Sequence, residues 1–319
     1  MRKPHAQAEV SRRDFFRQSG VGAASVAAAS LLASPLLAAP SHGTAAAAPD
    51  APFRAPASRR PIGIELYAVR GELNRDLPAT LRAVAAMGYE AVEFYSPYLA
   101  WTLPYAKTVR SLIDDLGVRC YSTHNSAVPF TSADVMTKAI ELNQILGARQ
   151  LIMASPPFQT GVADDWTRLA GQLTAAADTL RSHGLVAGYH NHDAEWARLP
   201  GGQRAMDILA AGTPADVVLQ LDIGHCLRGG GDPVAWVQAN PGRIRSVHLK
   251  DWAPGTESEE RSFRVLFGEG VAPWKPLLAA LESVGGVEFY LMEQEGSRLN
   301  ELDTARRCLA NWKALRRKA

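Results

Sequence analysis

From Pro61 onward the chain alternates short apolar runs with longer amphipathic segments, and it does so eight times. The runs are Gly63–Ala68, Ala91–Tyr95, Arg119–Thr123, Gln150–Ala154, Val186–His190, Val217–Asp222, Ile244–Lys250 and Phe289–Glu293. Helical spacing of apolar residues marks the segments between and after them: Leu77–Met87, Tyr105–Leu116, Ser132–Leu146, Asp164–His183, Gln203–Ala211, Pro233–Ala239, Pro273–Val284 and Glu301–Arg316. No two runs are joined by the two-residue turn of an antiparallel hairpin, so successive strands are expected to pair parallel through right-handed crossovers. Eight such units predict a closed (β/α)8 TIM barrel, an α/β fold of about 250 residues in one domain. An open doubly wound sheet is the structural alternative. It usually stops at fewer strands, and no Gly-x-Gly-x-x-Gly follows the first run. Gly229-Gly230-Gly231 follows the sixth run and reads as a flexible βα loop rather than a phosphate cradle.

Of the 319 residues, 47% are hydrophobic and 21% charged, the balance of a globular protein and not of a disordered, collagen-like or coiled-coil chain. Cys120, Cys226 and Cys308 lie far apart with no Cys-x-x-Cys spacing, which argues against a disulfide scaffold or a cysteine zinc site. The net charge of +2 is unevenly spread: residues 1–60 hold eight Lys/Arg against three Asp/Glu, so the rest carries a small negative balance. A slightly acidic body lacks the basic stripe that phosphate-backbone binding needs, which disfavours nucleic acid as a partner.

The first sixty residues read differently from the rest. Ser11-Arg12-Arg13-Asp14-Phe15-Phe16, the weakly apolar run Val21–Ala39 and its small-residue exit Leu37-Ala38-Ala39 resemble a bacterial twin-arginine export signal over residues 1–39. The resemblance implies a periplasmic or otherwise exported protein that meets the twin-arginine machinery and keeps no permanent membrane span. The alternative is that the apolar run stays as an anchor, for which its Ala and Ser content is poor. Residues 40–60, rich in Ala, Pro and Ser, read as a disordered linker, and the barrel is expected over 61–319.

In such a barrel the chemistry gathers at the C-terminal ends of the strands. Of eight histidines, His124, His190, His192, His225 and His248 fall at or just past strand ends, as do the acids Glu93, Asp222 and Glu293. Each histidine alone reads as a hydrogen-bonded core or loop residue; together with the acids they form a ring of metal-ligand types. Imidazole and carboxylate from separate strands, without cysteine, suit Mn²⁺, Fe²⁺, Co²⁺ or Zn²⁺, whereas Mg²⁺ favours more oxygen ligands. His190 and His192 are two apart and share a face if the strand persists, and Glu195 follows in the loop. Trp101, Trp196 and Trp252 fall in βα loops, where an indole either stacks on a sugar ring or packs the barrel rim. Trp166, Trp236, Trp274 and Trp312 belong to helical patterns and are expected to be structural.

Gly63-Ile-Glu-Leu-Tyr-Ala-Val-Arg70, Gly88-Tyr-Glu-Ala-Val-Glu-Phe94, Tyr189-His-Asn-His-Asp-Ala-Glu195, Leu221-Asp-Ile-Gly-His225, His248-Leu-Lys-Asp251, Gly268-Glu-Gly270 and Met292-Glu-Gln-Glu295 resemble the xylose-isomerase-like TIM barrel family. That family takes in sugar isomerases, ketose epimerases, inosose and dehydroshikimate dehydratases and endonuclease-IV-like enzymes. By position, the resemblance implies a divalent metal held by Asp222, His248 and Glu293. Many epimerases place a glutamate at the fourth position; here His190 aligns with it, and His192 and Glu195 are nearby substitutes. A mechanism using two metal-bound glutamates on opposite substrate faces is therefore in doubt.

The expected activity is that of an exported, metal-dependent isomerase or epimerase that removes a proton next to the carbonyl of an unphosphorylated sugar or keto-sugar. Glu293, Lys250, His225 and Glu93 are the candidate acid/base groups, with Glu195 more distant. Lys250 has a second reading as a salt-bridge partner of Asp251. His124, His192, Glu195, Trp101, Trp196 and Trp252 are the candidate substrate-binding residues. The same site admits a 3-keto-glycoside lyase or hydratase, because expulsion of a β-oxygen shares the first step. A non-catalytic sugar-binding barrel is a second class, and an endonuclease-IV-like nuclease, which needs a basic groove, a third.

Overall fold

The structure, a computed structural model, describes residues 60–158, 161–255 and 262–317. The signal assigned to residues 1–39 and the linker at 40–60, save Arg60, lie outside the described residues. Eight parallel strands pair in chain order, and the last returns to the first to close the ring. They are β1 (Ile62–Glu65), β2 (Ala91–Tyr95), β3 (Arg119–Asn125), β4 (Gln150–Met153), β5 (Val186–His190), β6 (Val218–Asp222), β7 (Ser246–Leu249) and β8 (Phe289–Met292). The surrounding helices are α1 (Leu77–Met87), α2 (Leu103–Asp115), α3 (Ala133–Leu146), α4 (Ala163–Arg181), α5 (Ala205–Gly212), α6 (Pro233–Ala239), α7 (Trp274–Ala280) and α8 (Glu301–Arg316).

Local chemistry sets the ends. The Asp76 carboxylate accepts the Ala79 N–H and starts α1, and Gly88 ends it at φ 96°, a conformation that a Cβ would strain. β1 stops at Glu65, short of the expected Ala68, because the Glu65 side chain accepts the Tyr67 N–H and turns Leu66–Val69 into a short 3-10 helix. The segment expected as a helix to Val284 leaves α geometry at Ala280, passes through a wider turn over Leu281–Gly285, and ends at Gly286 with φ 82°. Short helices at Arg70–Arg75, Val128–Thr131 and Ile223–Arg228, which the apolar pattern does not announce, sit in the βα loops.

Alternate strand residues divide between two environments. Val92, Phe94, Leu151, Leu219, Leu221, Val247 and Tyr290 are buried with helix residues such as Leu81, Val84, Leu169, Leu173 and Leu277. Each such side chain contributes roughly 1.5–3 kcal/mol on full burial, and their sum holds the ring of helices to the barrel. Glu93, Ser122, Gln150, Gln220 and Ser246 are equally buried but polar, and they are hydrogen-bonded to one another inside the barrel. Trp166, Trp236, Trp274 and Trp312 are buried. Cys120, Cys226 and Cys308 are buried free thiols. Among the described residues no helix is long and apolar enough to cross a membrane.

Candidate active site

Four consecutive strands bring His190, Asp222, His248 and Glu293 to one point at the C-terminal rim. Each offers one ligand atom, and these atoms all lie within 4.8 Å of one another. All four side chains are buried. Asp222 divides its oxygens: Oδ1 accepts the His225 N–H at 2.8 Å and caps the helix Ile223–Arg228, while Oδ2, buried, has no hydrogen-bond partner among the described residues. A clasp from the preceding strand end fixes its backbone, as Asn191 Oδ1 accepts the Asp222 N–H at 2.9 Å and Asn191 Nδ2 donates to the Asp222 carbonyl at 3.1 Å. Two imidazoles and two carboxylates, all buried and converging on one point, match the needs of a divalent cation.

The charges of the cluster are set by burial and by close neighbours. Burial pushes the His190 imidazole well below its usual range, helped by His124, His248 and His192 around it, so it offers a lone pair. Burial works to lower His248 too, but the carboxylates of Glu93 and Glu293 hold it well above the usual imidazole range. His248 lies between them, with Nδ1 2.6 Å from Glu293 Oε2 and Nε2 3.2 Å from Glu93 Oε1. Burial works to raise Glu293, and the Lys250 ammonium with His248 overrides it, keeping the carboxyl well below its usual range. Asp222 is pushed up to about 6 by burial, with Lys250 opposing.

Lys250 lies under the cluster's edge rather than beside Asp251. Its Nζ donates to Glu293 Oε1 at 3.0 Å and to Glu295 Oε1 at 2.6 Å, and stands 3.3 Å from Asp222 Oδ2 and 3.2 Å from His225 Nε2. The expected salt bridge to Asp251 is replaced, because Asp251 is fully engaged elsewhere. Its two oxygens accept the backbone N–H groups of Trp252, Gly268, Gly270 and Ala272 and the Trp274 indole N–H, binding the loop after β7 to its own origin. A Cβ at Gly270 would run into that carboxylate, which accounts for the Gly268-Glu-Gly270 pattern. His225 is buried in the helix after β6, its Nδ1 3.1 Å from Asp193 Oδ1, and Asp193 is partly open to solvent.

The remaining expected site residues separate into three groups. Glu93 lies below the rim at 0% exposure, accepting from Ser122 Oγ at 2.8 Å and from Gln220 Nε2 at 3.1 Å; a carboxylate enclosed in this way positions His248 and does not meet substrate. Glu195 does not fold back to the mouth. It accepts the Tyr189 hydroxyl at 2.8 Å and the His192 N–H at 3.1 Å, and burial pushes its carboxyl up to about 7. Trp196 is only 1% exposed and packs edge-on against Trp236 at 5.0 Å, so its faces belong to the interior and not to a ligand. Gly229 and Gly231 make that possible: a Cβ on Gly231 would sit 2.6 Å from the Trp196 ring and from Cys226 Sγ, so the glycine run is a close-packed cover rather than a flexible loop.

His124, His192, Trp101 and Trp252 retain some exposure. His124 stacks near His190, centroids 4.5 Å apart, and its Nδ1 is 3.7 Å from Glu65 Oε1. His192 lies 5.1 Å from His190 and 4.8 Å from His225 by ring centroids. Trp101 contacts Phe94, Tyr98 and Tyr105 on the edge of a cleft of about 460 Å³ that also meets Tyr95, Asn74 and Asp76. Sequence reading passed over Glu65, Gln220, Glu295 and Asp193. Glu65 is wholly buried and pushed up to about 7, chiefly by burial, with Oε1 lacking a hydrogen-bond partner among the described residues. Its available signal was its place at the end of the first strand, equivalent to Glu93.

The family model described as xylose isomerase-like TIM barrel matches residues 81–315. The chain belongs to this family. Among its relatives, an inosose dehydratase of Lacticaseibacillus casei is 27% identical over 222 residues, which are 64% of this chain and 68% of that protein. An L-ribulose-5-phosphate 3-epimerase of Salmonella paratyphi C is 25% identical over 234 residues, covering 67% and 80%. A solved structure of a sugar phosphate isomerase/epimerase from Parabacteroides distasonis superposes with a TM-score of 0.68 at 22% identity, covering 82% of this chain and 96% of the other. Membership accords with the closed parallel barrel.

Proposed function

We propose that the chain is a divalent-metal-dependent enzyme of the sugar isomerase, epimerase and dehydratase type, acting on an unphosphorylated sugar or keto-sugar by removing a proton next to its carbonyl. The observation that carries this is the convergence of His190, Asp222, His248 and Glu293, each offering one ligand atom, within 4.8 Å. The relatives' names, an inosose dehydratase and an L-ribulose-5-phosphate 3-epimerase, support a sugar-like substrate and leave its phosphorylation to the experiment below. When bound by these four residues, a divalent cation supplies the positive charge that eases carbonyl polarisation.

The chain's own residues handle the proton. Glu293 Oε1 and Lys250 Nζ, 3.0 Å apart, form the acid/base pair at the rim, and one takes the proton from the carbon beside the carbonyl. His225 bridges Lys250 Nζ to Asp193, which is partly exposed, and so connects that pair to solvent. Glu93 holds His248 in orientation from below. Trp101 and its cleft are proposed to receive the ring or aglycone beyond the reacting carbons.

A second reading rests on the resemblance, by which His190 aligns with the second glutamate of a two-carboxylate epimerase; an imidazole there favours elimination over proton return and hence a 3-keto-glycoside lyase or a dehydratase. The experiment is incubation of the metal-loaded full chain with unphosphorylated sugars, keto-sugars and 3-keto-glycosides in deuterium oxide. Deuterium in recovered or isomeric sugar of unchanged composition supports isomerisation or epimerisation; loss of water or an alcohol supports the lyase. Tight sugar binding with neither outcome would hand the protein to the binding class. We also propose, on Ser11-Arg12-Arg13-Asp14-Phe15-Phe16, that it is exported by the twin-arginine route; fusion of residues 1–60 to a reporter should be exported, and Arg12→Lys with Arg13→Lys should stop it.

A further inference from the structure

Beneath the four rim residues runs a line of polar side chains that takes no part in the proton transfers above. It begins at the opposite end of the barrel, where Arg245 Nε donates to Glu288 Oε1 at 2.7 Å. Gln150 Nε2 donates to Glu288 Oε2 at 3.2 Å, so Gln150 Oε1 is left to accept, and it does so from Ser246 Oγ at 2.8 Å. With its proton spent on Gln150, Ser246 Oγ turns lone pairs to Gln220 Nε2 at 3.1 Å. The same Nε2 donates to Glu93 at 3.1 Å. A carboxylate accepts and does not donate, so both ends of the line force the Gln220 amide into one orientation. Its Oε1 then faces His190 Nδ1 at 3.0 Å, and that nitrogen must carry the proton.

We infer that Gln220 is the positioning residue that fixes the tautomer of His190, leaving Nε2 bare toward Asp222 and Glu293, and that it couples His190 to His248 through Glu93. His248 Nε2 stands 3.2 Å from Glu93 Oε1, so both imidazoles have their outer nitrogens held by one buried bridge, Gln220 to Glu93. Without the bridge, His190 can place its proton on Nε2 and present an N–H where a lone pair is required. Burial makes the device stringent: Gln220, Glu93 and Ser246 are each 0% exposed, so no bulk water replaces a lost partner. The inference rests on reading the four rim residues as ligands.

Two measurements on the full chain test it. In metal-free wild type carrying ring-¹⁵N histidine, studied at mildly alkaline pH with His190 assigned by its loss in His190→Ala, His190 should show a protonated Nδ1 and a bare Nε2. Gln220→Met, which keeps the length and removes the amide, should show a mixture of tautomers and bind Zn²⁺ about 10–100-fold more weakly in competition with a chromophoric chelator. A protonated Nε2 in the wild type, or Zn²⁺ affinity in Gln220→Met within about twofold of wild type against that expected loss, overturns the inference. The tautomer measurement needs no variant and decides the matter if Gln220→Met does not fold. A wild type that takes up no Zn²⁺ counts against the metal reading itself, and the metal-free tautomer then judges Gln220 separately.

Discussion

Two carboxylates in opposite halves of the barrel mouth, Glu293 and Glu65, are shifted in opposite directions. From β5 to β8 the rim carries His190, Asp222, His248, Lys250 and Glu293, where charges of both signs stand within 2.6–3.3 Å and hold the Glu293 carboxyl far below its ordinary range against the effect of burial. From β1 to β4 it carries Glu65 and His124, separated by 3.7 Å, where burial wins and Glu65 rises to about 7; the end of β2 and the segment after it line the aromatic cleft. A carboxylate surrounded by cations is ready to hold a metal or a proton in transit. One left to burial, Glu65, gains or loses its proton close to neutral pH. Cations around Glu293 keep its charge, and burial around Glu65 favours its proton.

The largest effects should fall on the charged half. Asp222→Asn and Glu293→Gln are each expected to abolish stoichiometric metal, read by elemental analysis, and to lower turnover by about 10²–10³-fold or more, with circular dichroism unchanged. If either variant kept both metal and turnover, the division between the halves would be wrong.

The next effect is a pH dependence of opposite sign at Glu65 and Glu293, measured on metal-free protein by denaturant titration. Glu65 is raised when folded, so its protonated form is favoured; its contribution is intact below about 4.5 and is lost as pH rises through about 7. Glu65→Gln should flatten that decline by about 2–3 kcal/mol while leaving metal content unchanged. Glu293 is depressed when folded, so its contribution is present above its unfolded value and is lost as pH falls through its lowered folded value. A melt in which Glu65→Gln changed nothing between those limits would merge the two halves into one.

Smaller effects separate the tryptophans. Trp101→Ala should raise KM for the true substrate by about 5–10-fold, the worth of one aromatic contact, with kcat and metal content preserved. Trp196→Phe should leave KM unchanged and cost about 1–2 kcal/mol of stability through lost packing on Trp236, read from denaturant midpoints. A KM effect in Trp196→Phe alone would reverse their roles.

The barrel was legible because strand burial and helix burial on one face leave a periodicity that needs no partner to be seen, as in Gln150–Met153 followed by the long repeat that becomes α4. The grouping of His190, Asp222, His248 and Glu293 was legible from the rule that strand ends converge. What spacing does not carry is which atom a side chain answers to. Lys250 next to Asp251 suggests a pair, yet strand alternation sends Lys250 inward, and Asp251 turns to collect five N–H groups from its own loop. Trp196 looked like a loop indole because nothing local says that Gly229 and Gly231, more than thirty residues on, close over it. Gln220 hid inside an apolar run; its signal was its place two residues before Asp222, on the same side of the strand.

The four rim residues stand at or just past the ends of β5, β6, β7 and β8, strands that follow one another along the chain and each pair with the next. The whole grip on a cation is therefore inherited as a single uninterrupted stretch of polypeptide. Recombination at the join between β4 and β5 would carry the four residues together, but the incoming half would have to bring an acid at the place of Glu93 to keep His248 and Gln220 oriented.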